Sequence, residues 1–320
     1  MKYRVFDGTW AGAEDVNGSS TETPETPVIS VDGSDLPHVL WVEPLSGTKR
    51  VFYNTRSGSW GTPAPVSSDQ GDASDPDAAI DASGNLHAVW CRVTASDTLV
   101  YYASRNASTS SWSTPVVVSQ TTGTCGSPSI AVDDAGGLHV AYDRCTTAPA
   151  TDGEIYYVCN TGSGWTSPDL RTDGVHFEAL ETDLIASGSG ANLALDLAWT
   201  ADGDTADRIL WLSSYASGAW STPEKVSDDS YADDVFHHPS LMRDGTGTLI
   251  VSGIYDDGGS TFPYHLFLAE KRQGSWINLP PIDSQVTNTN ATCALVSDTY
   301  GHIHFLFCDG ADSVQYGHRR

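Results

Sequence analysis

The chain has 320 residues, of which 39% are hydrophobic, 10% aromatic and 18% charged. This composition argues against a disordered chain and against a long helical or coiled-coil protein. The formal net charge of −25 repels phosphate backbones and anionic membranes, so nucleic acid is not an expected partner. No apolar run approaches the length of a membrane span.

Two aromatic anchors recur along the whole chain. Apolar strands end at Trp41, Trp90, Tyr142, Trp199, Tyr255 and Phe307, with spacings of 49, 52, 57, 56 and 52 residues. A tryptophan that follows a Gly- or Ser-containing turn recurs at Trp60, Trp112, Trp165, Trp220 and Trp276, with spacings of 52, 53, 55 and 56 residues. Two anchors that advance in step predict one repeated structural unit.

Each unit contains four short strand patterns. The second is the apolar strand that ends at the aromatic anchor, the third is a segment such as VFYNTR or LVYYAS, and a Gly-x-Trp turn leads into the fourth. Segments rich in Val, Tyr and Trp, broken by Gly, Asp, Asn and Ser, are typical of β-strands, and four antiparallel strands in about 50 residues form a propeller blade. The sequence therefore predicts an all-β, six-bladed β-propeller as a single domain over residues 1–320, with blades at 24–73, 74–125, 126–177, 178–236, 237–288 and 289–320 plus 1–20.

The two termini are predicted to share the last blade. The last unit stops after VQYGHRR without its Gly-x-Trp strand, and the N-terminal segment around Trp10 carries that missing pattern. Pairing of the N-terminal strand in the last blade would remove two exposed sheet edges. We therefore expect a ring that is closed by the N-terminus.

The cysteines and the chain start bear on location. Six cysteines form no CxxC pair, so zinc is not indicated, and the even number fits disulfides in an oxidising compartment. Neighbouring strands suggest the pairs Cys91–Cys125, Cys145–Cys159 and Cys293–Cys308, although spacing does not fix connectivity. The chain begins without an apolar leader. We expect a monomeric domain of a larger secreted protein, extracellular or at the cell surface.

The units share a D-x-x-G-x-h-H-h-h-W core, where h is apolar, and a trailing Gly-x-Trp-x-x-Pro. In this pattern the whole chain resembles the sialidase-like β-propeller superfamily, with its neuraminidase or Asp-box repeats. The resemblance implies the fold, but the superfamily includes sialidases, polysaccharide lyases, lectins and non-catalytic adhesion domains. The Asp-box pattern is degenerate here, since Thr55 and Lys271 stand five residues before their tryptophans and the Asp is missing at both.

The resemblance also implies a ligand face, built by the loops after the second strands and by the starts of the first strands. These positions give the ligand-binding candidates Glu43, Arg92, Arg144, Asp257, Asp309, Glu178, His237 and His238. An arginine suits bidentate recognition of a carboxylate or sulfate, so Arg92 and Arg144 point to an acidic or polyhydroxylated glycan. The structural alternative is ion pairing between blades. Sialidases use three such arginines, and only these two are found here.

Histidines fall into two classes. His237 and His238 precede Pro239, and such a pair suits a general base or a metal ligand, or a packed loop. A polysaccharide lyase would need such a base, a tyrosine such as Tyr255 or Tyr264, and an arginine. The histidines that recur at one position of the repeat indicate architecture, as do the aspartates of the hairpin turns; the former are His38, His87, His139 and His304.

Two functions remain open. The first is a non-catalytic recognition or adhesion module that binds a glycan or a protein around the central channel. The alternative is a carbohydrate-active enzyme, a polysaccharide lyase or a glycosidase, at the channel mouth. No catalytic residue is fixed, because acids are abundant and no carboxylate pair stands out, Glu181 being one among many. No cofactor is expected. Calcium at the turn acids is left open, although the EF-hand spacing is absent.

Overall fold

The computed structural model of the chain describes residues 1–5, 9–66, 71–145, 153–172, 179–202, 208–227, 235–256, 264–279, 282–286, 293–297, 303–308 and 314–319. These residues form β-strands, with one turn of 3-10 helix at Gly190–Asn192 as the helical element among them. Contacts divide the chain into two compact units, the first formed by Met1–Val140 and Val158–Pro168 and the second by Ala141–Tyr157 and Asp169–Arg320. The predicted all-β class is confirmed.

The first unit is built from antiparallel sheets in chain order. A two-stranded N-terminal pair is followed by two sheets in which the first three strands are neighbours in chain order. A single parallel bridge between Thr98 and Thr124 leads to the start of the third sheet. The strands are β1 (Lys2–Tyr3), β2 (Glu14–Asp15), β3 (Glu25–Val31), β4 (Pro37–Leu45), β5 (Thr48–Ser57), β6 (Ser59–Trp60), β7 (Ala64–Pro65), β8 (Ala73–Ile80), β9 (Leu86–Val93), β10 (Thr98–Arg105), β11 (Val116–Val117) and β12 (Thr124–Val132).

The rest of the chain repeats the same strand order. Its last described sheet has three strands. The strands are β13 (Leu138–Cys145), β14 (Glu154–Asn160), β15 (Asp169–Leu170), β16 (Leu180–Ser187), β17 (Ala194–Asp202), β18 (Arg208–Ala216), β19 (Ala219–Trp220), β20 (Glu224–Lys225), β21 (Val235–Arg243), β22 (Leu249–Asp256), β23 (Tyr264–Arg272), β24 (Ser275–Asn278), β25 (Ile282–Val286), β26 (Cys293–Ser297), β27 (Ile303–Cys308) and β28 (Val314–Arg319).

The first aromatic anchor forms the core of the repeats. Trp41, Trp90, Tyr142 and Trp199 are buried at the centres of their second strands. These strands are covered on both faces, which explains why they read as continuous apolar runs rather than as an alternating pattern. The core interpretation of these four aromatics is confirmed.

The second anchor links consecutive repeats. A tyrosine of one third strand meets the edge of the next repeat's tryptophan, with ring centroids 5.5 Å apart for Tyr53–Trp112 and 5.0 Å for Tyr102–Trp165. Such edge-to-face pairs stabilise beyond the burial of their area. The regular recurrence of this tryptophan along the chain follows, because each repeat presents its tryptophan to a tyrosine of the preceding repeat.

The recurring histidines His38, His87 and His139 are structural, as the repeat predicted, and the side chain of His304 lies outside the described residues. Nε2 of His38 lies 3.3 Å from Oδ2 of the turn residue Asp32, and the Tyr53 hydroxyl lies 2.7 Å from Nδ1. His87 repeats this arrangement with Asp81 at 3.3 Å and Tyr102 at 2.8 Å. A neutral imidazole that carries its proton on Nε2 satisfies both contacts. The turn, the second strand and the third strand are thereby tied together.

These histidines predict acid sensitivity of the first unit. Burial lowers the pKa of His38, His87 and His139 below the ordinary value of 6.5, although the neighbouring aspartates act in the opposite direction. Below pH 6.5 the unfolded chain therefore binds more protons at these histidines than the folded protein does. The free energy of unfolding should be constant with respect to these groups above pH 6.5 and should decrease as the pH falls below it. Melting temperatures measured across this range test the slope. Histidine rings that titrate at or above the ordinary value in the folded protein would contradict it.

The N-terminal segment differs from its prediction. β1 pairs with β2 through Tyr3 and Glu14, as Tyr53 pairs with Ala64 in the first sheet. Tyr3 also meets the edge of Trp60 at 5.1 Å, the place that third-strand tyrosines fill elsewhere. The segment thus supplies a third and a fourth strand, packed on the first sheet, rather than a lone fourth strand. Among the described strands β28 pairs with β27, and closure of the last blade is not confirmed.

The cysteine pairs stay predictions. The Cys91 thiol lies 3.4 Å from the carbonyl oxygen of Cys125, so these two cysteines are close, but no disulfide joins them in this structure. Cys145 and Cys159 fall in different units. Cys293 pairs in register with Phe307, the residue before Cys308. No helix in the described part of the chain is long and apolar enough to cross a membrane.

Candidate functional site

The first strand of the repeat carries a bulge with an unusual backbone. Register shifts occur between Glu25 and Val28, Ser74 and Asp77, Leu180 and Thr182, and His237 and Ser240. Bulges re-aim side chains and are enriched next to active sites. A non-glycine residue has a left-handed φ at each repeat-equivalent position, namely Thr26 at 44°, Asp75 at 48°, Ser127 at 41°, Glu181 at 55° and His238 at 51°.

In the second unit two of these bulges meet. The backbone N–H of His238 donates to a carboxylate oxygen of Glu181 at 2.8 Å. Nδ1 of His237 lies 3.5 Å and Nδ1 of His238 lies 3.8 Å from the other oxygen, Oε1. The Thr200 hydroxyl lies 3.3 Å from Oε2. We call Glu181, His237 and His238 the His–Glu cluster.

The His–Glu cluster is sheltered but open to solvent. The side chains of Glu181 and His237 are 19% and 18% exposed, and that of His238 is 33% exposed. Burial acts to raise the pKa of Glu181, but the hydrogen bond with His237 and the charge of His238 outweigh it, so this pKa lies below its ordinary value. The cluster therefore presents a fixed negative charge between two imidazoles, an arrangement that suits proton transfer.

Arg144 lies at the end of β13 in the same unit. Its guanidinium is 5.9 Å from the centre of the Tyr156 ring, whose hydroxyl donates to Glu154 at 2.8 Å. Burial and the Glu154 carboxylate raise the pKa of Tyr156. Tyr156 therefore stays protonated and uncharged, and its ring contacts the positively charged guanidinium of Arg144 through a cation–π interaction.

Glu43 is held in a buried hydrogen-bond network, and its ligand-binding role stays a prediction. It is buried and accepts hydrogen bonds from Trp41 Nε1 at 3.1 Å and Asn17 Nδ2 at 3.4 Å, and a further one from the Ser20 hydroxyl. The sequence placed Glu43 on the rim because it follows the second strand. The N-terminal segment covers it instead.

Arg92 keeps the position that the repeat predicts, at the end of β9 in the first unit. Its guanidinium stacks 3.7 Å from the centre of the Tyr101 ring and donates to the hydroxyl of the same tyrosine. Arg92 and Arg144 thus each lie on a tyrosine of their own hairpin. Whether either binds a ligand stays a prediction.

Other predicted positions contribute less. Glu178, Asp257 and Asp309 lie outside the described residues. Tyr255 is buried against Phe236 and His265, so it belongs to the core. In the part of the chain that the structure describes, no group of three or more His, Cys, Asp or Glu residues is arranged to hold a metal ion.

Glu181 was the residue that the sequence did not single out. The X-Pro pattern of the other first strands does not identify Glu181, because Thr182 follows it. A proline follows each of the equivalent residues Thr26, Asp75, Ser127 and His238. Alignment of the first strands by their bulges would have placed Glu181 and His238 at one repeat position. The repeat position of Glu181 is present in the sequence, but the many other acidic residues of the chain do not distinguish Glu181 from the rest.

Comparisons with known proteins place the fold. No protein-family model matches the chain, and no curated protein matches it. Among solved structures it is similar to the GH93 α-L-arabinofuranosidase of Fusarium graminearum, with a TM-score of 0.58 and 9% identity over 96% of each chain. It is also similar to a PL25 ulvan lyase bound to -[GlcA(1-4)Rha3S]-, with a TM-score of 0.59 and 15% identity over 90% of this chain and 78% of that one.

A Hadza microbial sialidase is a further neighbour, with a TM-score of 0.57 and 11% identity over 88% of this chain and 67% of that one. These three neighbours are an arabinofuranosidase, a polysaccharide lyase and a sialidase, which are enzymes that act on glycans. Identities this low show a shared fold and leave function to be argued from the site.

Proposed function

We propose that the chain is a carbohydrate-active enzyme that cleaves a uronate-containing polysaccharide by β-elimination at the His–Glu cluster. One observation carries the proposal: an ionised, sheltered carboxylate lies between two imidazoles, on two bulges of neighbouring first strands. An imidazole beside a carboxylate is suited to accept a proton near neutral pH.

The reaction class follows from the charge of Glu181. Hydrolysis of a glycosidic bond needs a protonated carboxylic acid and a second carboxylate across the bond. Glu181 has a lowered pKa and accepts hydrogen bonds from the His238 N–H and Thr200, so it is a poor proton donor. In elimination an imidazole takes the proton from C5 of the uronate, the C4–O bond breaks, and the leaving oxygen takes a proton from the second imidazole.

The substrate's carboxylate requires a cation, because its charge must be stabilised when the adjacent proton leaves. Arg144 is the candidate for this role in the same unit as the cluster, held over Tyr156. The net charge of −25 opposes a polyanion at long range. Physiological salt screens that repulsion beyond about 8 Å, so a local arginine decides binding.

The proposal keeps the architecture predicted from the sequence: a closed six-bladed propeller, secreted as a monomer or as a domain of a larger protein. The lyase among the structural neighbours, bound to a glucuronate-containing oligosaccharide, supports a fold able to carry this chemistry. At 15% identity it does not establish the reaction.

The test is a panel of polysaccharides that contain glucuronate, iduronate or galacturonate, with neutral arabinan and sialylated glycans alongside. Elimination yields new unsaturated ends that absorb ultraviolet light, whereas hydrolysis releases reducing ends without that absorbance. We expect absorbance to grow on at least one uronate polymer. Reducing ends without unsaturation would replace the lyase by a glycosidase.

A second candidate is the non-catalytic recognition module. It is favoured by the paired arrangement of Arg92 on Tyr101 and Arg144 on Tyr156, which recurs where a catalytic site would be unique. Binding to the same panel without any turnover, lost when either arginine is replaced by alanine, would establish this alternative.

A further inference from the structure

The start of the Glu181 bulge is held by a residue from the preceding repeat. The backbone N–H of Glu181 lies 3.3 Å from Oδ2 of Asp143, on β13. Asp143 is 4% exposed. A buried carboxylate is costly unless hydrogen bonds compensate it. Packing alone therefore does not explain an aspartate at this position.

The repeat shows that the fold does not require an aspartate there. Asp143 follows the second-strand aromatic, and the equivalent residues of the first two sheets are Val42 and Cys91, both buried. Cys91 also contacts the start of the next first strand, through the carbonyl oxygen of Cys125. Asp143 and Cys91 thus both face the next repeat. Val42 and Cys91 show that an apolar or weakly polar residue suffices for packing at this position.

Thr200, the equivalent residue of the next sheet, holds Glu181 from the other side. Its hydroxyl lies 3.2 Å from the carbonyl oxygen of Leu180 and 3.3 Å from the Glu181 carboxylate. The glutamate itself has a φ of 55°, which is unfavourable for a residue with a long side chain. Such a conformation persists only when its surroundings hold it.

We infer that Asp143 is a positioning residue, which fixes the backbone of Glu181 so that its carboxylate lies between His237 and His238. The inference rests on the proposed function for its effect on rate, but its effect on the histidines is independent of any substrate. Asp143 acts through Glu181, whose backbone N–H it contacts.

The test compares Asp143→Val, which introduces the residue type of Val42, with Glu181→Gln. We expect both variants to fold and both to shift the ring NMR resonances of His237 and His238, because each moves or removes the carboxylate. On a substrate, Asp143→Val should reduce kcat on the order of 100-fold, with a smaller change in KM. Unchanged His237 and His238 ring resonances in folded Asp143→Val, alongside shifted resonances in Glu181→Gln, would overturn the inference.

Two controls separate position from charge and from folding. Asp143→Asn keeps an oxygen that accepts the Glu181 N–H, so its histidine ring resonances and its rate should stay near those of the wild type. A folded Asp143→Asn with shifted His237 and His238 resonances would show that the charge acts directly and would overturn a positioning role. Cys91→Val tests the equivalent contact in the first unit and should leave His237 and His238 unchanged. If no polysaccharide is turned over, the proposed function fails, while the His237 and His238 ring resonances still decide the role of Asp143.

Discussion

Glu181→Gln is expected to lower kcat on a uronate polysaccharide by about 10²- to 10⁴-fold, the range associated with loss of general acid–base catalysis. The amide is close in shape to the carboxylate and can still accept from the His238 N–H and Thr200. It carries no charge, so the protonated imidazole that forms during proton abstraction loses its stabilising partner. The measurement is kcat from the appearance of unsaturated ends, with the melting temperature determined in parallel.

The matched control for Glu181→Gln is Asp75→Asn. Asp75 occupies the same bulge position in the first unit and has a similar φ of 48°. If the bulge matters only for the fold, the two variants should behave alike, whereas the proposal predicts that only Glu181→Gln loses activity. An active Glu181→Gln enzyme, or equal loss in both variants, would refute the assigned role of the His–Glu cluster.

Glu43→Ala should reduce the free energy of unfolding by roughly 3 kcal/mol, because at least two buried donors lose their acceptor and each costs about 1–3 kcal/mol. Those donors are Trp41 Nε1 and Asn17 Nδ2, and the Ser20 hydroxyl loses the same partner. Asn17 in turn accepts from the N-terminal ammonium of Met1 at 2.7 Å, so the N-terminal segment should loosen as well. Denaturant unfolding and hydrogen exchange of residues 1–20 measure the two effects.

This result separates a structural carboxylate from a functional one. Glu43→Gln retains an acceptor oxygen and should cost much less than Glu43→Ala. Neither variant should alter kcat at temperatures where the protein is folded, since Glu43 is buried in the first unit. A Glu43 variant with native stability and impaired ligand binding would restore Glu43 to the ligand face.

The repeat could be predicted from the sequence because it depends on short-range patterns. The anchor aromatic of each second strand and the turn before it lie within a single hairpin, and burial on both faces of a strand requires an apolar run. The structural role of His38 and His87 follows in the same way, since each contacts an aspartate 6 residues before it and a tyrosine 15 residues after it. Residues that recur at one position of every hairpin serve the hairpin.

The tertiary structure decided which acids matter. Glu43 and Glu181 look alike as residues beside strands, but 23 to 26 residues separate Glu43 from the N-terminal side chains that bind it, and 57 residues separate Glu181 from His238. Such contacts depend on which side chain a bulge carries and on which segment covers a strand end, and both differ from repeat to repeat, although the bulge itself recurs. The sequence by itself determined the repeating sheets and their core, because these are local and repeated. The His–Glu cluster and the buried place of Glu43 required the packing of distant segments, because the side chains at these positions differ from repeat to repeat.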